Sequence, residues 1–341
     1  MDFIWSLPYL LVIAWFLPRI GLLKNSGLTP LAIRSFFLLK CLIGVGLIML
    51  YTYYYPKGSS DIFNYFADGE VMFEALKNNP ADYFRMLTGI ESDAPHLMHY
   101  YDQMHFWLKD FNYNLFNDNR TVIRFNGLLT PFSFGNIYVH TFIMNVLAVI
   151  GLTGIFRFLR EHLQFNKTVS MIAIALPPSL LFWGSGLLKE GIVLFALGVM
   201  LLTIGKLTQT PKKFLLWLQL AAIMTLFGIS KFYVMIAILP GIISWLTSHK
   251  PKLTLVHFAL IHAGLLILIF IGPYLPGFPD IPSIISRKQN DFINFANSLN
   301  HVGSLIETEE MTPDFANFML HALRGFFTTL FRPHLIEVHN A

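Results

Sequence analysis

The chain has 341 residues, 55% of them hydrophobic and only 13% charged, with a net charge of +4 and a mean hydropathy of +0.56. Soluble domains carry about 25% charged residues, so this composition excludes an ordinary water-soluble fold and points to an all-α, polytopic transmembrane helix bundle. Lys and Arg are scattered over short connections rather than gathered on one face, which gives no basis for a nucleic-acid partner. The single cysteine, Cys41, excludes a disulfide framework and a cysteine-held metal.

Apolar windows close to the length that crosses a hydrocarbon core lie at roughly 3–17, 34–55, 136–156, 168–183, 187–204, 214–230, 232–247 and 253–272. The first lacks a basic start and is soon followed by another apolar span, so it reads as a span rather than a cleavable signal peptide. A further apolar stretch over 314–331, interrupted by His321 and Arg324, reads as a ninth span or a surface helix. The expected count is therefore about eight or nine.

Positive charge orients these spans. Arg19, Lys24 and Arg34 follow the first window, Arg157, Arg160 and Lys167 the third, Lys206, Lys212 and Lys213 the fifth, and Lys250 and Lys252 the seventh. The alternate short connections carry only Lys189 and Lys231. One assignment satisfies every loop: the N-terminus outside and the four basic loops in the cytoplasm. Residues 56–135, the turns at Lys189 and Lys231, and the segment 273–315 then share the non-cytoplasmic side, which implies one site there within a single membrane domain, 1–341.

The segment 56–135 is too long to be a plain connection. From Ser60 onward, Ile62, Phe66, Gly69, Phe73 and Leu76 form one helical stripe and Asp61, Tyr65 and Asp68 another, the pattern of an amphipathic helix lying in the interface. Residues 97–116 read as a second such helix, and Asn112–Asn119 and Thr130-Pro131-Phe132 as loop. Asn119-Arg120-Thr121 and Asn166-Lys167-Thr168 match the glycosylation sequon, a pattern too weak to use.

Asp61 is the first candidate for chemistry. A first-turn carboxylate is also an ordinary helix-end residue, but one desolvated by Tyr65 and Phe66 would have its pKa raised toward the range of a general base. Asp68 is the alternate, and Glu70 reads as a solvated face. The second candidate region is Pro177-Pro178-Ser179-Leu180-Leu181-Phe182-Trp183-Gly184-Ser185-Gly186-Leu187-Leu188-Lys189-Glu190. Its glycines break a span, and Lys189 opens the next helix at the wrong end of the dipole. Either an anion compensates it, with phosphate the best fit and Glu190 a mediocre one, or the lysine snorkels to water. Snorkelling is also the reading for Lys231. Arg287, Arg324 and Arg332 are further cations. His96, His99 and His105 lack a convincing third ligand unless Asp93 or Asp102 serves, so no metal site is assigned. A divalent cation stays open as the one cofactor.

With these residues in view, the chain resembles the GT-C membrane glycosyltransferases, which have many spans and a long first extracytoplasmic loop with two amphipathic helices and an early acidic residue. Asp61 in Asp61-Ile62-Phe63-Asn64-Tyr65 matches that acid. The stretch 177–190 and Leu330-Phe331-Arg332-Pro333 resemble multi-pass proteins encoded with bacterial surface-polysaccharide genes. A whole span precedes the one leading into the Asp61 loop, a departure from the family, and the usual later spans are missing, so a longer parent protein is conceivable.

The resemblance implies transfer of a sugar from a polyprenyl-phosphate-linked donor to a hydroxyl on a glycan or lipid acceptor, at the periplasmic face of the bacterial inner membrane. It makes Asp61 or Asp68 the base, with Lys189, Arg287 and Arg332 on the donor phosphate and Tyr65, Glu190 and Lys231 in the substrate pocket. Two alternatives stay open: a polysaccharide polymerase or ligase using outer-loop arginines, and a non-catalytic membrane carrier or scaffold.

Overall fold

The computed structural model describes residues 2–55, 60–108, 117–247, 254–298 and 308–331, and among these it is helical with no strand. In order, the helices are α1 (Asp2–Phe16), α2 (Gly21–Lys24), α3 (Pro30–Tyr53), α4 (Asp61–Asn78), α5 (Pro80–Thr88), α6 (Met98–Tyr101), α7 (Asn119–Ser133), α8 (Ile137–Glu161), α9 (Lys167–Ala175), α10 (Pro178–Phe182), α11 (Lys189–Gln209), α12 (Phe214–Thr247), α13 (Thr254–Ile271), α14 (Ile281–Ser298) and α15 (Phe315–Phe331). The chain divides into two compact units, Met1–Met235 and Ile236–Ala341, with the boundary inside α12.

Helix starts follow local chemistry. Thr29 accepts from Ala32 N before Pro30 opens α3, and Asn79 accepts from Ala81 N before Pro80 opens α5, pairing a capping oxygen with the one residue that needs no N–H there. Asn136 and Asn166 cap α8 and α9 in the same way. The two sequon asparagines therefore have structural work: Asn166 is a cap, and Asn119 is buried, accepting a hydrogen bond from Tyr65.

Among the described residues five helices are long and apolar enough to cross a membrane: α3, α8, α11, α12 and Leu255–Tyr274. A sixth arises if the pair Lys167–Ala175 and Pro178–Ser185, bent by 66°, is one broken span. The difference from eight or nine windows has definite sources. The window at 3–17 forms a helix of 15 residues, about 22 Å at 1.5 Å per residue, short of the core thickness. The windows at 214–230 and 232–247 lie in one helix of 34 residues broken at Lys231 (φ −154°, ψ 81°). The stretch at 314–331 becomes α15, amphipathic and outside the spanning set.

Within the first unit, α8 and α11 touch backbone to backbone. A Cβ built on Gly198 would lie 1.8 Å from the Gly151 carbonyl oxygen, and one on Gly154 2.6 Å from that of Gly198. Small residues permitting such an approach are the usual adhesive between helices in lipid, where hydrophobic burial gives no drive. The loop region between α3 and α8 uses the same device: a Cβ on Gly69 of α4 would meet Asn126 of α7 at 2.4 Å.

Both stripes expected on α4 are partly covered. Ile62 and Gly69 of the apolar one and Tyr65 and Asp68 of the polar one are buried, while Asp61 is exposed and Phe66 and Phe73 are half-buried. The reason is that α7 packs on both, with Asn126 against Gly69 and Asn119 on the Tyr65 hydroxyl. The residues expected to be loop at 130–132 lie inside α7. Of the second amphipathic helix only the short α6 forms, and 109–116 lie outside the described residues. One buried core joins this cap to the bundle, running from Ile62, Met72, Trp107 and Val122 to Leu47, Met144 and Ile192.

In the second unit, Asn290 of α14 bonds both backbone groups of Met311 (3.0 and 2.8 Å), and Arg324 of α15 pairs with Glu309.

The glycine contact gives a direct test. Gly198→Val should destabilise the protein by about 3 kcal/mol or prevent folding, since overpacking a tight contact costs about 1–3 kcal/mol and sometimes more. Gly46→Ala, where an added Cβ meets nothing within 4 Å, should be neutral or stabilising. Thermal midpoints in detergent check both, and equal midpoints would refute the close contact.

Candidate functional site

A cavity of about 350 Å³ is lined by Tyr51, Asp61, Trp183, Leu188 and Glu190. All five stand at element ends: Tyr51 in the last turn of α3, Asp61 at the first residue of α4, Trp183 and Leu188 in the turn between α10 and α11, Glu190 in the first turn of α11. Helix ends carry backbone groups without intrahelical partners, and here they meet around one recess.

The structure brings Asp61 and Lys189 together across the 128 positions that separate them (189 − 61). Asp61 keeps an exposed edge on the cavity, yet its surroundings displace enough water to matter. Burial pushes its pKa above the ordinary carboxylate range, the Lys189 ammonium pulls it back, and the Glu190 carboxylate pushes it further up. Opposing neighbours of this kind are how a carboxylate is brought toward a general base's range.

Lys189 and Glu190 point to different partners, as adjacent residues about 100° apart on a helix must. Lys189 Nζ lies 2.8 Å from Asp118 Oδ2, with both side chains largely buried, and 5.9 Å from the centre of the Tyr65 ring. Glu190 Oε1 receives Lys231 Nζ at 2.6 Å. The anion that Lys189 requires is therefore present in the chain as Asp118, the N-cap residue of α7. Its only sequence signal is an aspartate just before a helix, in a stretch that reads as loop. Lys231 forms an ion pair at the break in α12 where snorkelling was expected.

Asp68 does not line the cavity. It is wholly buried, with Oδ1 accepting from His105 N (2.7 Å) and Oδ2 from Phe106 N (2.8 Å), and with His105 Nδ1 at 3.1 Å from Oδ1. These bonds fix the turn before Trp107, a positioning task. Tyr65 is buried beside the cavity residues. Burial first, then Asp61, Asp118, Glu190 and Asp68, push its pKa up, so the phenol stays neutral and donates to Asn119 Oδ1 at 2.9 Å.

The remaining expected residues are dispersed. Arg287 is exposed on α14 in the second unit, and Arg332 lies outside the described residues. His96 meets Asp82 at 3.1 Å, His99 meets the His96 carbonyl at 2.7 Å, and Asp93 pairs with Arg120 at 2.8 Å. Among the described residues no three His, Cys, Asp or Glu side chains group to hold a metal.

One cation was missed altogether. Lys40, in the middle of α3, is 0% exposed and donates to Ser185 Oγ (3.0 Å) and to the Leu180 carbonyl (3.2 Å). Its signal was a lone lysine in an apolar run, which a hydropathy average absorbs.

No family model matches the chain, and neither does any curated protein or solved structure compared with it.

The charge arrangement predicts an order of titration. Lys189→Met removes the downward pull on Asp61, so Asp61 should titrate higher than in the wild type. Glu190→Gln removes the upward push, so Asp61 should titrate lower. Infrared carboxyl bands followed through pH, assigned by their loss in Asp61→Asn, check the order, and its reversal would break the assignment of neighbours.

Proposed function

We propose that the chain is a multi-pass membrane glycosyltransferase. It moves a sugar from a polyprenyl-phosphate-linked donor to a hydroxyl on a glycan or lipid acceptor, with the cavity on the non-cytoplasmic side. In a bacterial cell that side is the periplasmic face of the inner membrane. The observation that carries this reading is the convergence of Asp61, Glu190, Lys189 and Lys231 from three separate helices, with Asp61 opening onto the cavity and its pKa raised.

The short basic loops support the orientation. On this reading α12 holds two crossings that meet at Lys231. The ion pair sets Lys231 level with Glu190 at the start of α11, and Phe214–Ser230 is 17 residues (230 − 214 + 1), about 25 Å of helix, close to one crossing. Adding the broken pair α9–α10 and α1, which with the 3-10 turn after it runs as an apolar helical stretch over Phe3–Arg19, brings the number of crossings to eight on this reading.

In the reaction, Asp61 accepts the proton of the acceptor hydroxyl as its oxygen bonds the anomeric carbon, and the sugar–phosphate C–O bond breaks with its electron pair leaving on the lipid phosphate. Lys189 stabilises that leaving charge. An ammonium carries three donors, so the bond to Asp118 is compatible with a second anion. Fixed cations aimed at developing charge are the strongest electrostatic contribution an enzyme makes.

A second reading has one observation of its own. A buried intramembrane lysine beside a broken helix is what a membrane carrier would show, and Lys40 beside the α9–α10 bend fits it.

Activity of the purified protein with a pool of polyprenyl-phosphate sugars separates the two. Asp61→Asn should lower turnover by about 10²–10⁴ with donor binding kept, and the wild-type rate should fall on the acid side at a pH above the ordinary carboxylate pKa, since the base works deprotonated. Unchanged turnover in Asp61→Asn would remove the aspartate from the mechanism. Movement of a labelled lipid across a vesicle membrane without chemistry would favour the carrier.

A further inference from the structure

Lys40 is the eleventh of the 24 residues of α3 (40 − 30 + 1), near the middle of the span and fully enclosed. A charge taken that deep costs several kcal/mol by general estimates. Among the described residues its recorded bonds go to neutral oxygens only, those of Leu180 and Ser185. A lysine held at that cost has its use in what those two bonds fix.

They fix the end of a short helix. α10 is five residues long and runs on only into a single 3-10 turn, Trp183–Ser185, so few intrahelical donors follow its last carbonyls, and a cation there also suits the helix dipole. Lys40 takes the Leu180 carbonyl and the Ser185 hydroxyl, and Ser185 in turn donates to the Leu181 carbonyl. From α8, Asn145 Nδ2 donates to the Ser185 carbonyl at 2.9 Å. From α11, Leu194 closes on Gly184, where an added Cβ would lie 2.8 Å from its Cδ1 and 3.5 Å from the Lys40 ammonium. The turn is thus gripped from three helices, and the only charge in the grip is Lys40. Trp183, Leu188 and Glu190 sit on this turn or immediately after it, and they are three of the five residues lining the cavity.

We propose that Lys40 is a positioning residue that sets the cavity wall from within the membrane, by locking the end of α10 so that Trp183, Leu188 and Glu190 face Asp61. Its functional half rests on the cavity being the working site, and its structural half does not.

The test compares wild type with Lys40→Met, which keeps the length and removes the charge, and Lys40→Gln, which keeps a neutral donor. Replacing a buried charge by an apolar side chain of similar size is often neutral or stabilising, so the thermal midpoint of Lys40→Met should hold or rise. Amide hydrogen exchange over 180–190 should nevertheless quicken by about tenfold or more, which is a loss of about 1.4 kcal/mol or more of protection against local opening, while exchange over 62–76 in α4 stays as it was. Lys40→Gln should recover part of the protection. The infrared titration of Asp61 should move in Lys40→Met, because Lys189 and Glu190 follow the same turn, and a lysine that only filled space would leave it in place.

Unchanged exchange over 180–190, or loss of protection spread evenly through the bundle, would overturn the proposal. If Lys40→Met unfolds, Ser185→Ala tests the same lock by removing one of the two acceptors, and unchanged exchange there would overturn it equally. Quickened exchange and a moved titration with full turnover would uphold the positioning role and count instead against the cavity as the catalytic site.

Discussion

The direct contact of α8 with α11 is the constraint on which the first unit depends. Lipid tails are as apolar as leucine, so two helices in a bilayer adhere by closeness rather than by escape from water. Gly151, Gly154 and Gly198 supply that closeness. With α11 seated on α8, the first turn of α11 must emerge beside the end of α3 and beneath the cap formed by α4 and α7. Glu190 is then carried to the cavity, with Lys189 beside it, by the packing of residues lower on the same helix. The chemistry at the rim is a consequence of backbone contact in the bundle.

Charge at the rim is arranged in alternation. Asp118, Lys189, Glu190 and Lys231 form two crossed pairs, and Asp61 adds a fifth charge between them. Each pair joins the α11 terminus to a different element, one to the cap and one to the break in α12. Deleting one member takes the nearest counter-charge from its partner in a poorly solvated place, which is costly. The pairs therefore serve as fasteners as well as a source of field at Asp61, and both roles come from the same four side chains.

Much of this was legible in the residues, and the remainder had physical reasons to be hidden. Long apolar windows marked α3, α8, α11 and α13, since a helix that crosses lipid has little freedom in composition. Lysine at the first turn of α11 announced an unmet need for an anion, but the need did not name its partner. Asp118 lies 71 positions away (189 − 118) in a stretch rich in asparagine that reads as loop. Periodicity found α4 but not that Tyr65 and Asp68 are buried along with Ile62 and Gly69, because burial there is decided by α7, which local pattern does not contain. Asp68 looked catalytic by type, and only the amides of His105 and Phe106 reveal its task. Lys40 was visible in the sequence, but the apolar residues around it carried the average.

The order of these charged residues along the chain bears on how the protein is made. Asp61 and Asp118 leave the ribosome before Lys189 and Lys231, and at about 5–20 residues per second the carboxylates precede their cations by seconds. During that interval the acids cannot rest in hydrocarbon and must be held in water or by polar contacts. The cap has interior contacts of its own to form meanwhile, among them the turn secured by Asp68 and the glycine contact of α4 with α7. Arrival of α11 then closes Lys189 onto a surface already assembled, and Lys231 of α12 follows onto Glu190, so this site is completed by late helices docking against earlier ones.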